Sequence, residues 1–550
     1  MPSITYQVKQ TDVLVVGAGL AGLRAAREAA AAGARVTVVN KKGICASRDI
    51  MGFCAAVGDR DSLELFSADL RRSGSEINDN ALIQALVEEA GEQVSFFERQ
   101  GFTFDRDERG AYHLQSPLGC SVPRLVHQEA MTGSRLMDLL LEECHELGVV
   151  FLSPVIILDV YAADGAICGA VGIDLNASEF LVFKTPAVIL ATGGCGDTQS
   201  ATTYPKGLAG DGYAIALRAG AELVDMEFQQ FEPCCAIYPK TIFGNILCTT
   251  MLKLGGKISN QNGEDVLARH GLSFETLQKD TLARAIVDEI AHGAPTPHGG
   301  VYFDVRSLPR KSVVIDHNVF YDPIKRGGVD ITEELVEVAP MVHTTLGGVK
   351  IRPDASTQVD GLFAAGEVSG GIHGANRIGG CAGSETVSFG AISGRSAAKY
   401  ALSGPKAVLR PMQIQEDLAR RTEHLGTESI GNLQDLKEQS LRIADDALGI
   451  IRSASSLRTG LDALSKLEDE AASVRVKNLA DLARYQELLN RICVLKTQLM
   501  SSDLRQESRG ALYRSDFPER NDVVWRRNIL ISLDGDALRL RVCPETVSAQ

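Results

Sequence analysis

Asp12-Val-Leu-Val-Val16-Gly17-Ala-Gly19-Leu-Ala-Gly22 is the stretch that decides the fold. Its run of branched apolar residues predicts a buried strand, and the alanine-rich residues 21–32 predict a helix directly after it. The glycines mark the passage between the two. Gly17 permits the tight turn, Gly19 lets the backbone approach a pyrophosphate, and Gly22 lets helix and strand pack closely while the helix N-terminus faces the negative charge. Residues 35–39 predict a second strand, which completes a βαβ unit. At its end stands Asn40-Lys41, where an acidic residue often holds a ribose. The Asn40 amide can bond a ribose hydroxyl and Lys41 can lie near phosphate, so this position leaves the kind of dinucleotide open.

Working outward, two more segments run from strand into glycine. Residues 186–192 precede Gly193-Gly194, then Gly210-Asp211-Gly212 and a helix over 213–219; residues 361–367 lead through many glycines to a helix over 385–402. Three nucleotide-facing turns spread along the chain predict an α/β fold: a discontinuous Rossmann-like domain over 1–225 and 341–408. Residues 226–340 read as an inserted α+β capping domain, with turn-rich pieces such as Ser259-Asn-Gln-Asn-Gly263. From 409 to 550 glycine and proline thin out, and residues 433–451, 457–474 and 479–500 repeat apolar side chains at helical spacing, so a C-terminal helical domain follows. Residues 528–542 read as a terminal hairpin around Asp534-Gly535.

Length and composition agree. The 550 residues suit two to four domains at roughly 100–200 residues each. The net charge of −14 argues against a nucleic-acid or anionic-membrane binder, because both need a positive surface. No apolar run approaches the roughly 20 residues of a membrane span, and the first ten residues lack the apolar core of a secretory signal. A cytoplasmic protein is expected. Its 12 cysteines contain no CxxC pair, so no metal or cluster site is predicted, and most are expected to be buried thiols.

Four blocks carry a resemblance: VVGAGLAGLRAA, ILATGGCGDTQSATTYPKGLAGDGYAIALRAGAEL, DGLFAAGEVSGGIHGANRIGG and ESRGALYRSDFPERND. In order and content the chain resembles the flavoprotein subunits of fumarate reductase and succinate dehydrogenase, together with L-aspartate oxidase. The resemblance implies an FAD cofactor. Gly17, Gly19 and Gly22 would take the pyrophosphate, with Asn40 and Lys41 close by; Thr192 and Gly193 would lie near the adenosine side. Asp211, Glu367 and Arg377 would hold the flavin half, with Gly52 and Ala382 among the further contacts. Many relatives link flavin to a histidine within a segment that here reads Gly43-Ile-Cys-Ala-Ser-Arg-Asp-Ile-Met-Gly52-Phe-Cys-Ala-Ala56 and has none. Non-covalent FAD is expected.

The resemblance also assigns substrate residues, some kept and some changed. His343 matches the histidine of the family's HYTMGG block, and Arg377 matches the arginine that clamps a carboxylate. Glu232 replaces the histidine of QFHPT, Cys248-Thr249 replaces a Thr-Glu pair, and Lys279 stands where relatives have the proton-donating arginine. Lysine offers a compact ammonium in place of a rigid fork. Lys279 is therefore either the proton carrier or a partner of Asp280 or of a surface carboxylate. These exchanges remove donors and add an acid, which predicts a small-molecule substrate other than fumarate or succinate. Cys45, Cys54, Cys234, Cys235, Cys248 and Cys381 fall in segments that line the flavin in relatives; they read either as space-filling or as sulfur redox chemistry of the adenylylsulfate reductase kind. Two readings stay open: an oxidoreductase acting through His343, Arg377, Lys279 and Glu232, or an electron-transfer protein with a vestigial pocket. Either implies a partner, an iron–sulfur subunit by resemblance.

Overall fold

Val13–Val16 is a strand with all four side chains buried. It is the middle of a five-stranded parallel sheet ordered Leu362–Ala364, Ala187–Leu190, Val13–Val16, Val36–Val39 and Val150–Leu152. Burial on both faces explains why these strands read as continuous apolar runs rather than alternating ones. At about 1.5–3 kcal/mol for each fully buried large aliphatic side chain, this sheet anchors the molecule. The computed structural model describes residues 4–41, 45–129, 131–274, 277–403 and 407–544. Residues 43 and 44 of the histidine-free segment lie outside the described residues.

Helix Leu20–Ala31 follows the first strand, and helix Cys381–Ser403 packs along it. Close approach dictates small residues there: a Cβ on Gly394 would lie 2.3 Å from the Ala25 carbonyl oxygen. The three strand-to-glycine segments thus meet in one sheet. A second sheet, Tyr6–Gln10, Glu179–Lys184, Ala166–Asp174 and Val155–Ala163, presents Ile156, Leu158, Val171, Phe180 and Val182 to the C-terminal helices. Those helices, Leu433–Ala447, Ala454–Ala472 and Leu479–Leu504, bury their apolar stripes on it.

The insert forms an antiparallel sheet of Gln229–Tyr238, Val336–Thr345, Val301–Asp304 and Lys257–Ser259, with helix Lys279–His292 packed against the first two. It has its own core, including Cys234, Ile258, Leu282, Ile286, Phe303 and Val338. The terminal hairpin forms as expected, Ile529–Asp534 with Ala537–Val542. It does not stay with the helices: its first strand pairs with Leu223–Val224, beside Gly348–Lys350. Arg505, fully buried, ties this end of the chain to Glu227 at 2.7 Å and to Glu507 at 3.1 Å, with Glu227 just ahead of the first capping strand.

Candidate active site

The cofactor cleft starts at the glycine turn. Gly17 has φ +117°, and a Cβ there would lie 2.2 Å from the Ala191 carbonyl oxygen; a Cβ on Gly22 would lie 1.9 Å from the Gly17 carbonyl oxygen. Gly17 and Gly22 are thus imposed by the turn and by helix–strand contact. At Gly19, among the described residues, a Cβ would meet only Ser47 Oγ, at 3.1 Å, so the helix N-terminus there opens toward a ligand rather than toward packed chain. Ser47 Oγ accepts from the Leu20 amide at 3.1 Å. Gly52 lies in the strand Gly52–Cys54, paired with Leu125–His127, where a Cβ would lie 2.3 Å from the Val126 carbonyl oxygen.

Further along, Gly193 has φ +73° and Thr192 Oγ1 is buried with no protein partner. Arg377 Nε and His373 Nδ1 are likewise buried and unpartnered. Such atoms are costly unless a ligand or water satisfies them, and together with the glycine turn they fit a bound dinucleotide. Lys41 donates to Asp211 at 2.9 Å and also pairs with Glu487. Burial alone would lower the Lys41 pKa, but the two carboxylates hold it above the ordinary lysine value. Asp211 in turn accepts from Asn490 at 2.8 Å, so its carboxylate is committed to protein partners at the junction with the helical domain. Asn40 links the sheets, its backbone amide donating to the Leu152 carbonyl at 3.0 Å and its carbonyl accepting from the Val155 amide at 2.9 Å. Ala382 sits in the first turn of helix Cys381–Ser403.

Glu367 accepts from the Thr345 amide at 2.8 Å and contacts the Tyr204 hydroxyl. Burial, with neighbouring Glu385 adding to it, pushes its pKa up to about 8. At neutral pH it is largely a protonated acid, able to donate a hydrogen bond. Glu385 is held by His373 at 2.9 Å and Ser369 at 3.0 Å.

The substrate residues converge at the capping sheet. Glu232 lies on Gln229–Tyr238 and is 2 % exposed. Lys279, the first residue of helix Lys279–His292, places Nζ on Glu232 Oε2. His343, on Val336–Thr345, has Nε2 3.7 Å from the same oxygen and Nδ1 2.9 Å from Thr203 Oγ1. Burial, and then the nearby Lys279 and Arg377 cations, hold the imidazole well below its usual pKa, so it is neutral. Among the described residues Lys279 pairs neither with Asp280 nor with a surface carboxylate: Asp280 instead accepts from Asn376 at 2.8 Å and pairs with Arg284 at 3.6 Å.

Several positioning residues escaped the sequence reading. Asn376 donates to Gln278 at 3.0 Å and to Asp280 at 2.8 Å, and its side-chain carbonyl accepts from Gln230 at 2.7 Å. Gln230 also donates to the Arg377 carbonyl at 2.9 Å. One amide network therefore locks the Arg377 loop, the Glu232 strand and the Lys279 helix together. Thr203 does the same for His343. The signal available was adjacency alone: each missed residue stands one or two places from a recognised one, or within the TTYPKG block.

A chain with this glycine turn, this sheet and a capping chamber of ionisable groups is an FAD-dependent oxidoreductase. The FAD binding domain family matches residues 12–382, and the family described as fumarate reductase flavoprotein C-term matches residues 437–550. Methanothermobacter marburgensis has a relative from its CoM/CoB fumarate reductase that is 35% identical, covering 96% of this chain and 98% of that one. The fumarate reductase flavoprotein subunit of Mycobacterium tuberculosis is 31% identical over 98% of each. A structure of E. coli quinol fumarate reductase superposes with a TM-score of 0.91 at 27% identity, covering 99% of this chain and 98% of that one. The chain belongs to the fumarate reductase and succinate dehydrogenase flavoprotein family, and its cofactor is FAD.

These findings overturn one expectation. A substrate other than fumarate or succinate and a vestigial pocket were inferred from residue exchanges, and a sulfur-compound reductase from the placement of the cysteines, yet the full-length relatives from Methanothermobacter marburgensis and Mycobacterium tuberculosis are fumarate reductase subunits. The physical reason is visible. Glu232 is not the free anion that the inference assumed, because Lys279 compensates its charge and Arg377 and His343 remain beside the pair.

Proposed function

We propose that this chain is a fumarate reductase flavoprotein subunit that reduces fumarate to succinate, with FAD held without a covalent link. The observation that carries it is the convergence of Lys279, Glu232 and His343 from two strands and a helix, with Arg377 close enough to depress the His343 pKa. When bound, FAD supplies the electron pair as hydride to one olefinic carbon. The remaining work falls to side chains. The Arg377 guanidinium grips one carboxylate, and its unpartnered Nε is a donor in waiting. Neutral His343 donates from Nε2 to the other carboxylate, its Nδ1 facing the Thr203 hydroxyl. Lys279 Nζ carries the proton for the second carbon, and Glu232 Oε2 orients it. The pair is net neutral, so a dianionic substrate meets the Arg377 charge unopposed.

Electrons must reach FAD from elsewhere, and among the described residues no group of His, Cys, Asp or Glu side chains could hold a metal ion. An iron–sulfur partner subunit is proposed on family grounds. No helix among the described residues is long and apolar enough to cross a membrane. All 12 cysteines are free thiols, which favours a cytoplasmic site. The test is fumarate turnover by purified holoprotein with a reduced viologen as donor. Turnover that falls with Arg377→Ala supports the reading; a flavin-replete protein inert toward both fumarate and succinate overturns it.

A further inference from the structure

Helix Leu479–Leu504 belongs to the C-terminal helical domain, yet two of its side chains hold residues at the edge of the cofactor crevice. The strands Val36–Val39 and Ala187–Leu190 run parallel on either side of Val13–Val16, so their C-terminal ends flank the Gly17 turn, where an open parallel sheet takes a dinucleotide. Lys41 stands just past the first end and Thr192 just past the second. Asp211 opens helix Asp211–Arg218, and a Cβ on the next residue, Gly212, would lie 2.1 Å from Thr192 Oγ1, the buried hydroxyl without a protein partner. Asp211 therefore borders the crevice with an unsatisfied hydroxyl beside it. Both of its oxygens are held. Lys41 Nζ donates to Oδ2 at 2.9 Å, and Asn490 Nδ2 donates to Oδ1 at 2.8 Å. Asn490 is 1 % exposed, and its side-chain carbonyl accepts from Arg218 at 3.0 Å and from Gln486 at 3.1 Å. Its orientation is thereby fixed, because a flipped amide would aim a donor at Arg218 and a carbonyl at Asp211. Glu487, one turn earlier on the same face of the helix, pairs with Lys41, whose Nζ also donates to the Gly207 carbonyl at 3.2 Å.

We propose that Asn490 is a positioning residue of the FAD site: by fixing the Asp211 carboxylate from the C-terminal helix, it makes retention of the cofactor depend on the seating of the helical domain. The inference rests on the reading of Asp211 as a cofactor residue. A carboxylate oxygen has more than one lone pair, so each Asp211 oxygen can still accept from a hydroxyl of the cofactor while Lys41 and Asn490 hold it. Because the carboxylate is already aimed, binding does not have to order it first. Removing Asn490 frees that carboxylate to turn toward Lys41 alone. The helical domain then serves the cofactor directly, through one amide, and not only as packing against the second sheet.

The test follows flavin fluorescence as purified holoprotein is diluted, which gives the FAD dissociation constant with no substrate present. Asn490→Leu, close in volume, removes the donor and should raise that constant about tenfold. Asn490→Asp sets a second carboxylate against Asp211. Its FAD should be held most weakly at alkaline pH and recover toward wild type as pH falls, because the carboxylate pair then takes up a proton and regains a donor. Leu488→Ala trims a buried side chain of the same helix and should lower the unfolding temperature while leaving the FAD constant unchanged. The proposal is overturned if Asn490→Leu keeps wild-type affinity, if Asn490→Asp shows no pH dependence beyond that of wild type, or if Leu488→Ala loosens FAD as much as Asn490→Leu does. Asp211→Asn separates the two levels: wild-type FAD affinity there removes Asp211 from the cofactor site and the proposal with it, whereas weakened affinity there beside an unchanged Asn490→Leu sinks the positioning role alone. Should Asn490→Leu not fold, Asn490→Asp, which keeps the side chain's shape, decides.

Discussion

Lys279→Met removes the cation from Glu232 while keeping most of the side chain's volume, and two separable losses follow. The first is stability. Glu232 is 2 % exposed and its partner side chain 13 % exposed, so this is a buried pair, and stripping one member of such a pair costs about 3–5 kcal/mol. We expect the lower end, about 3 kcal/mol, because His343 Nε2 lies 3.7 Å from the same carboxylate oxygen, and loss of the Lys279 cation relieves one of the causes, after burial, that hold its pKa down. The second is the chemistry. Loss of a positioned proton donor lowers turnover by about 10²–10⁴, while KM changes less because Arg377 and His343 still hold the carboxylates. Thermal unfolding followed by flavin release reads the first loss, and steady-state fumarate reduction reads the second. The double variant Lys279→Met with Glu232→Gln separates them: stability should return to within about 1 kcal/mol of wild type, since no uncompensated charge remains, but turnover should not. Lys279→Arg should retain measurable turnover. A Lys279→Met enzyme with kcat within about tenfold of wild type would refute the proton assignment.

Other outcomes follow from the same geometry. Gly22→Ala should yield protein without flavin, because the added Cβ would lie 1.9 Å from the Gly17 carbonyl oxygen and must push the helix off the pyrophosphate turn; the visible flavin spectrum of the purified protein reports it. Glu367, whose folded pKa is raised from 4.5 to about 8, binds its proton more tightly folded than unfolded. Its contribution is therefore full below pH 4.5 and is lost as pH rises to 8, by up to about 5 kcal/mol. Glu367→Gln should flatten the fall in unfolding temperature across that window relative to wild type. Arg505→Met leaves Glu227 buried without its paired cation, while Glu507 keeps Arg509 at 2.6 Å, and should cost about 3 kcal/mol, read by limited proteolysis of the C-terminal segment.

The strand–turn–helix at 12–31 was legible because its physics is local: a buried strand must be apolar, and the turn geometry excludes a Cβ at Gly17 and Gly22 whatever surrounds it. The C-terminal helices were legible for the same reason, since their apolar stripes meet the second sheet at helical spacing. What stayed hidden was pairing. Glu232 and Lys279 are 47 positions apart, Gln230 and Asn376 are 146 apart, and no periodicity links them. The substrate inference failed in just this way. It treated Glu232 and Lys279 as two separate departures, when in the folded chain they form one ion pair. Charge at a site is a property of pairs, and the pairs are set by which strand faces which helix. Tallying substitutions one by one therefore misjudges the chemical distance between family members whenever two exchanged residues pair with each other, as Glu232 of the capping strand and Lys279 of the helix do.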